Sequence, residues 1–356
     1  MREGRIPVEA GRKMEAEKKV LVTEPVDEAG TNLLKAHGFE VVQGTGIEQE
    51  TVIREAQGCG GILTRNARIT ADVMDHCPEL RVIGVHGVGV DIIDVEAATA
   101  RKIQVVNAAG SNREAVAEYA MSLILMLAKG SVQYNNELKA GNLEIRKMKG
   151  ENVQGKTLGI LGMGNIGTQV ARIAHGGFGM EVFGYNRHIS EPQKLGFCTL
   201  LPDKEEVIRR ADFLSLHLPL TASTRHIIGE RELELMKPTA YLVNTGRGEI
   251  VDEQALIRAL QEKRIRGAGL DVFEGGLPKP ENPLLHMDNV IVSPHTAAFT
   301  VESLRNMARQ AAQGIAEVLE NRAPSWPVNR IPGAPQQKKV SCILDYYQYE
   351  FGTEAK

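Results

Sequence analysis

Aromatic side chains are scarce in this chain, 4% of it with a single Trp, and cysteines are scarcer, at four. No two of Cys59, Cys77, Cys198 and Cys342 stand close enough for a redox or zinc pair, so a disulfide scaffold is excluded and no metal site is expected. Long hydrophobic runs are missing too. The longest, Ala120 to Ala128, is interrupted by Ser122 and falls far short of the ~20 residues that cross a bilayer. Neither sign of charge dominates, with 42 Lys and Arg against 45 Asp and Glu and a net charge of -3. That balance argues against nucleic acid as the main partner. Residues 1–18 mix Arg and Lys with Glu3, Glu9, Glu15 and Glu17 and hold no apolar stretch. They read as a polar arm rather than a secretory signal, and a reduced, cytoplasmic compartment is expected.

What is present points to a folded chain of more than one domain. The 356 residues allow a little over two domains, taking roughly 150 residues for each. Hydrophobic residues at 42% and charged ones at 24% exclude wholesale disorder. Glycine, at 36 residues, is the one excess, and it suggests tight turns or close approaches of backbone to a ligand.

From Lys19 onward, short β-branched runs alternate with amphipathic stretches: VLVTEP, DEAGTNLLKAHG, FEVVQG, TVIREAQG, GGILTR, ADVMDHCP, LRVIGVHG, DVEAATARK and IQVVNAAG. The alternation predicts a doubly wound α/β domain over residues 19–111. A single long helix is predicted from Arg113 to about Glu137, apolar on several sides, lying between two domains. Its stretch Val116 to Leu127 carries more apolar surface than one domain needs, so a homodimer built around it is expected. A second alternating series, with six strands in TLGILGMG, MEVFGYN, ADFLSLHLP, AYLVNTG, GAGLDVF and VIVSPH, predicts a second parallel sheet over residues 112–295. The helical stretch Thr300 to Asn321 should return to the first domain, which then comprises residues 19–111 and 296–330. Residues 331–356 read as a tail.

Gly162, Met163, Gly164, Asn165, Ile166 and Gly167 follow the strand TLGIL and open the helix NIGTQVARIAH. In that context Gly162 makes the tight turn, Gly164 lets backbone approach a pyrophosphate, and Gly167 lets helix and strand pack closely. Amides at the helix start face the anion. The next strand ends in Tyr185, Asn186, Arg187, His188, where an acid would ordinarily bind the adenine ribose. An uncharged Asn followed by Arg removes the repulsion of a 2′-phosphate and adds a partner for one, a lean towards NADP. Alternatively Arg187 stacks on adenine and NAD binds.

Downstream lie VNTGRG around Arg247, GLDVFEGG from Gly269 and SPHTAA around His295, and upstream GVHGVGVD at 84–91. Together with the glycine loop these segments resemble the D-isomer-specific 2-hydroxyacid dehydrogenases, from about Lys19 to Asn329, and most of all the phosphoglycerate dehydrogenase and hydroxypyruvate-glyoxylate reductase branch. The resemblance implies a Rossmann domain inserted into a flavodoxin-like substrate domain, with the active site where they face each other. It implies hydride transfer between a nicotinamide cofactor and a small D-2-hydroxy or 2-keto acid of the 3-phosphoglycerate, hydroxypyruvate or glyoxylate type. His295 matches the catalytic acid/base, a buried core histidine being the bland alternative. Arg247 matches the arginine that binds carboxylate and carbonyl oxygens, an exposed helix-start arginine being the alternative. Amides near Val88 and Gly89 would hold the carboxylate, and Arg65 matches a position that touches substrate in some members. Asp271 matches the acid beside the nicotinamide carboxamide, His217 and Thr245 would line the cofactor cleft, and Asn112 would sit at the crossing between domains.

One position departs from the family. Five residues after Asp271, where a glutamate usually pairs with the catalytic histidine, this chain has Gly276. A carboxylate there would raise the histidine pKa above its ordinary value of about 6.5 and preserve the acid form. Either Glu274 substitutes for it, or His295 works unassisted with an acid-shifted optimum. The departure also leaves open an NAD(H)-sensing, corepressor-like binding module with vestigial turnover, although keeping both Arg247 and His295 favours an enzyme.

Overall fold

The computed structural model describes residues 18–335, so the expectations for nearly all of the amino-terminal arm, for the tail beyond residue 335 and for Cys342 lie outside the described residues. The described chain divides into two compact units, residues 18–112 with 300–335, and residues 113–299.

In the first unit, strands β1 (Lys19–Val22), β2 (Glu40–Gln43), β3 (Gly61–Thr64), β4 (Val82–Val85) and β5 (Gln104–Val106) form a parallel sheet in the order β2-β1-β3-β4-β5. Strands β3 and β4 are buried along their whole length. Their aliphatic sequences without polar alternation suit a sheet covered on both faces. One face packs Val20, Val22, Leu63 and Val82 under Leu34, Ala311 and Ile315. The other packs Leu21, Ile62 and Ile83 under Val52, Val73 and Ala98. The helix Val301–Leu319, capped by Thr300 Oγ1 accepting from the Ser303 amide at 3.1 Å, supplies Ala311 and Ile315. Gly30 makes its approach possible, since a Cβ there would stand 2.7 Å from the Ala308 carbonyl oxygen. The strand order reverses between β1 and β3, and the segments after those two strands carry Glu24 and Arg65. A doubly wound sheet binds ligands at that reversal.

The second unit holds an eight-stranded sheet: β6 (Thr157–Leu161), β7 (Glu181–Tyr185), β8 (Gln193–Leu195), β9 (Cys198–Leu201), β10 (Phe213–Leu216), β11 (Tyr241–Asn244), β12 (Gly267–Leu270) and β13 (Val290–Val292). The order is β13-β12-β11-β10-β6-β7-β9-β8, parallel except for the antiparallel pair β8 and β9. From β9 to β12 this is the dinucleotide-binding Rossmann order, reversing between β6 and β10. The six expected strands are present. Two more, β8 and β9, correct the sequence reading. They are three and four residues long at the sheet edge, too short to show a period of two.

The single helix expected from Arg113 to about Glu137 is two helices, Arg113–Lys129 and Ser131–Lys139, set at 62°. Gly130 breaks it with a left-handed φ of +63°, a conformation glycine adopts without steric cost. The apolar girth of the first helix has its partners within its own unit. Ala117, Met121, Leu123, Ile124 and Leu127 join Leu158, Ile160 and Val170 in one core. Truncating such a side chain to alanine costs about 2–5 kcal/mol. Among the described residues no single helix is long and apolar enough to cross a membrane.

Candidate active site

The glycine loop has the geometry its sequence calls for. Gly162 has a φ of +104°, and a Cβ on it would lie 2.6 Å from the backbone carbon of His217, just after β10. The turn after β6 and the turn after β10 therefore touch at the point where strand order reverses. A Cβ on Gly167 would collide with the Gly162 carbonyl oxygen, so the first turn of the helix Asn165–Phe178 can lie against the loop only with glycine there. Gly164, the N-cap, differs: a Cβ there meets nothing within 4 Å. It borders open space in front of the helix amides, the cradle a pyrophosphate needs. These residues fit a dinucleotide.

At the end of β7, Asn186 is buried, its Oδ1 accepting from the His188 amide at 2.9 Å. Arg187 is exposed, and its Nε donates to Nε2 of His188 at 3.2 Å. His217 lies between Ser215 Oγ, 2.9 Å from its Nε2, and Thr245 Oγ1, 3.4 Å from its Nδ1. Burial pulls its pKa down to about 4, because an imidazolium there would lose its hydration. His217 is therefore neutral at ordinary pH.

Arg247 and His295 follow neighbouring parts of the same sheet edge. Strands β11, β12 and β13 are in parallel register, with Asn244 opposite Leu270 and Leu270 opposite Val292. Asn244, 1% exposed, accepts from the Gly246 amide at 3.0 Å and donates to the Arg247 carbonyl at 2.9 Å. Arg247 is half-buried, and its Nη1 donates to the Gly246 carbonyl at 2.8 Å. It does precede a single 3-10 turn, Gly248–Ile250, but it is not an exposed helix-start residue.

Asp271, also 1% exposed, follows β12, and its own amide donates to the Asn244 carbonyl at 3.0 Å. Its carboxylate accepts from Ser293 Oγ at 2.6 Å, the Thr296 amide at 2.8 Å and the Ala297 amide at 2.9 Å. Inside that embrace His295 is exposed, has a left-handed φ of +56°, and donates its amide to the Asp271 carbonyl at 2.8 Å. The core-histidine alternative is thereby excluded.

The segment after Phe273 accounts for the departure at Gly276. Gly275 and Gly276 have φ of +79° and +102°, so both stand in backbone conformations that L side chains rarely adopt. Glu274 donates its amide to Glu253 at 3.0 Å and sets its carboxylate 2.7 Å from Nε2 of His226. The residue expected as a substitute partner for His295 is thus engaged by a different histidine.

In the first unit, Arg65 is half-buried at the strand-order reversal, on a loop held by a residue the sequence reading missed. Glu24 Oε2 accepts from the amides of Arg65 at 3.0 Å and Asn66 at 2.8 Å, which hold its carboxyl below the usual range against the opposing effect of burial. Val88 and Gly89 are half-buried, and the Val88 carbonyl accepts from Asn107 Nδ2 at 2.7 Å. His86, just before them, is buried with its pKa lowered by desolvation. Asn112 Oδ1 is buried and has no hydrogen-bond partner among the described residues. Neither Glu24 nor Asn244 gave a sequence signal of its own, since single polar residues after strands are common.

A family model for the NAD binding domain of D-isomer specific 2-hydroxyacid dehydrogenases matches residues 121–297. The chain is 42% identical over 323 residues to a D-3-phosphoglycerate dehydrogenase of Methanocaldococcus jannaschii, which covers 90% of this chain. It spans only 61% of that relative's length. With a glyoxylate reductase of Korarchaeum cryptofilum it shares 36% identity over 320 residues, covering 88% of this chain and 96% of that protein. Among solved structures it resembles an NADPH-dependent glyoxylate/hydroxypyruvate reductase from Sinorhizobium meliloti in complex with NADP and malonate. The TM-score is 0.79 and the identity 30%, over 91% of this chain and 100% of that one.

Proposed function

The chain belongs to the D-isomer specific 2-hydroxyacid dehydrogenase family, and from that membership we propose that it moves hydride between a nicotinamide dinucleotide and a small D-2-hydroxy acid or its 2-keto acid. The substrate is of the glyoxylate, hydroxypyruvate or 3-phosphoglycerate type. One observation carries the reading: Arg247 and an exposed, left-handed His295 leave the same sheet edge as the glycine loop, each on a turn held by a buried side chain.

When bound, the nicotinamide ring supplies or accepts the hydride. Gly162, Gly164, Asn165, Ile166 and Gly167 hold the pyrophosphate, while Asn112, His217, Thr245 and Asp271 border the rest. Arg247 offers a planar fork to the substrate carboxylate and carbonyl oxygens. His295 donates a proton to the developing alkoxide in reduction and takes it back in oxidation. In the first unit, the resemblance gives the amides at Val88 and Gly89, with Arg65, a part in binding the acid. Glu274 lies on His226 instead of standing in for the family's glutamate.

Asn186 and Arg187 support a preference for NADP. A second copy of the chain is the proposed partner; on the helix Arg113–Lys129 it would cover the parts of Tyr119, Leu125 and Met126 that their packing on the unit's own core leaves exposed. Light scattering in solution should report a dimer, and a monomer at working concentration would remove that part of the reading.

The activity is tested by following oxidation of NADH and NADPH with glyoxylate, hydroxypyruvate, pyruvate and phosphohydroxypyruvate from mildly acid to alkaline pH. Turnover with one of these acids is expected, abolished in His295→Ala and with raised KM in Arg247→Ala. Tight cofactor binding without turnover would overturn the enzyme reading in favour of a nucleotide-sensing module.

A further inference from the structure

We propose that Asn244 and Asp271 act as a pair of positioning residues, Asn244 setting the turn that presents Arg247 and Asp271 setting the turn that presents His295. The inference rests on the roles given above to Arg247 and His295, and it concerns what holds those two side chains in place. Both positioning residues are 1% exposed and end adjacent strands, and the Asp271 amide donating to the Asn244 carbonyl at 3.0 Å joins them.

Each side chain is spent on a turn. Asn244 uses both ends of its amide within three residues, accepting from Gly246 and donating to Arg247, so the backbone on either side of the guanidinium stem has one arrangement. The Asp271 carboxylate gathers one hydroxyl and two amides from Ser293, Thr296 and Ala297, on either side of His295. Those bonds, with the His295 amide on the Asp271 carbonyl, hold His295 at a φ of +56°. A non-glycine residue keeps such a conformation only where its surroundings over-determine it. His295 is thereby left exposed although its loop is anchored on a buried carboxylate.

The resemblance places Asp271 beside the cofactor, but its three donors all come from this chain. Its replacement should therefore disturb His295 before any cofactor arrives. The division of labour gives the two residues different kinetic signatures. Loss of the Asp271 donors displaces the proton donor and lowers kcat. Loss of the Asn244 bonds displaces the carboxylate-binding arginine and raises KM for the acid.

The test compares Asp271→Asn, Ser293→Ala and Asn244→Ser with His295→Ala and Arg247→Ala, reading steady-state kinetics and backbone hydrogen exchange of the cofactor-free protein by mass spectrometry. Asp271→Asn should lower kcat by about 10–100-fold with KM within threefold, and Ser293→Ala should do the same more weakly. Asn244→Ser should raise KM at least about fivefold with a smaller loss in kcat. Exchange should rise over residues 293–299 in the first two variants and over 244–250 in the third. Unchanged exchange in those peptides, or an identical fall in kcat and KM pattern for all three, overturns the pairing. Full turnover in His295→Ala or Arg247→Ala would instead defeat the functional reading and leave the exchange result to decide the structural one. If Asp271→Asn fails to fold, Ser293→Ala, which removes a single hydroxyl, carries the same comparison.

Discussion

The carboxylate of Glu274 lies 2.7 Å from Nε2 of His226, with side chains 32% and 41% exposed, so it is engaged away from His295. Arg225 adds a more distant charge at 3.9 Å. Pairs as exposed as this contribute little, at most about 1 kcal/mol. Glu274→Gln should therefore leave stability almost unchanged and leave the alkaline limb of the reductase pH profile where it is. A shift of that limb would show that Glu274 serves His295 after all.

Gly276→Glu should restore a carboxylate at a cost. A Cβ at Gly276 meets nothing within 4 Å, so space is no obstacle, but the φ of +102° is. Forcing a side chain into such a conformation should destabilise by about 1–2 kcal/mol, seen as a lower Tm. In the protein that folds, a carboxylate near His295 keeps the imidazole protonated to higher pH. The profile of kcat/KM for reduction should extend above neutrality, and an unchanged profile would show that a carboxylate at position 276 does not act on His295.

Acid should weaken the second unit through His217. Its pKa is depressed to about 4 in the folded chain, against about 6.5 when unfolded. The unfolded state therefore takes up a proton first, and stability falls as pH drops from about 6.5 towards 4, by an amount on the order of 3 kcal/mol. Above that window the group contributes no slope. His217→Asn should flatten denaturant midpoints measured across it, and a variant as acid-sensitive as the parent would refute the assignment.

The glycine loop separates folding from binding. Gly164→Ala places a methyl in open space at an ordinary φ of -87°, so Tm should be kept while the Kd for cofactor rises at least about tenfold. Gly167→Ala drives a methyl onto the Gly162 carbonyl and should lower Tm as well. Calorimetry with NADPH on both proteins distinguishes them, and equal Tm losses would contradict the open cradle at Gly164.

The proposed NADP preference rests on Arg187. Replacing it with Ser removes a charge-assisted partner of a 2′-phosphate, worth ~1.5–3 kcal/mol. The ratio of kcat/KM for NADPH over NADH should fall by about 10–100-fold, and a ratio that does not move would return Arg187 to an adenine-stacking role.

How much of this was legible beforehand depended on range. Gly162, Gly164 and Gly167 were readable because their spacing falls within a strand, turn and helix that are contiguous in sequence. The short strands β8 and β9 were not, since three or four residues at a sheet edge carry no period. Gly130 stood in plain view in the sequence, yet a glycine inside an apolar helical pattern is often tolerated, and only its φ of +63° shows a break.

The amino-acid sequence by itself determined the alternation of strands and helices, the nucleotide loop and the residue types at Arg247, Asp271, Gly276 and His295, because composition and spacing carry those constraints locally. Tertiary structure alone decided that Glu274 turns to His226 and that Asp271 gathers Ser293, Thr296 and Ala297 around His295. Asp271 and Ser293 are 22 residues apart, and Glu274 and His226 are 48 apart. A hydrogen bond over that distance exists only once the intervening chain has folded and brought donor and acceptor together out of water, and no local pattern records where that will happen.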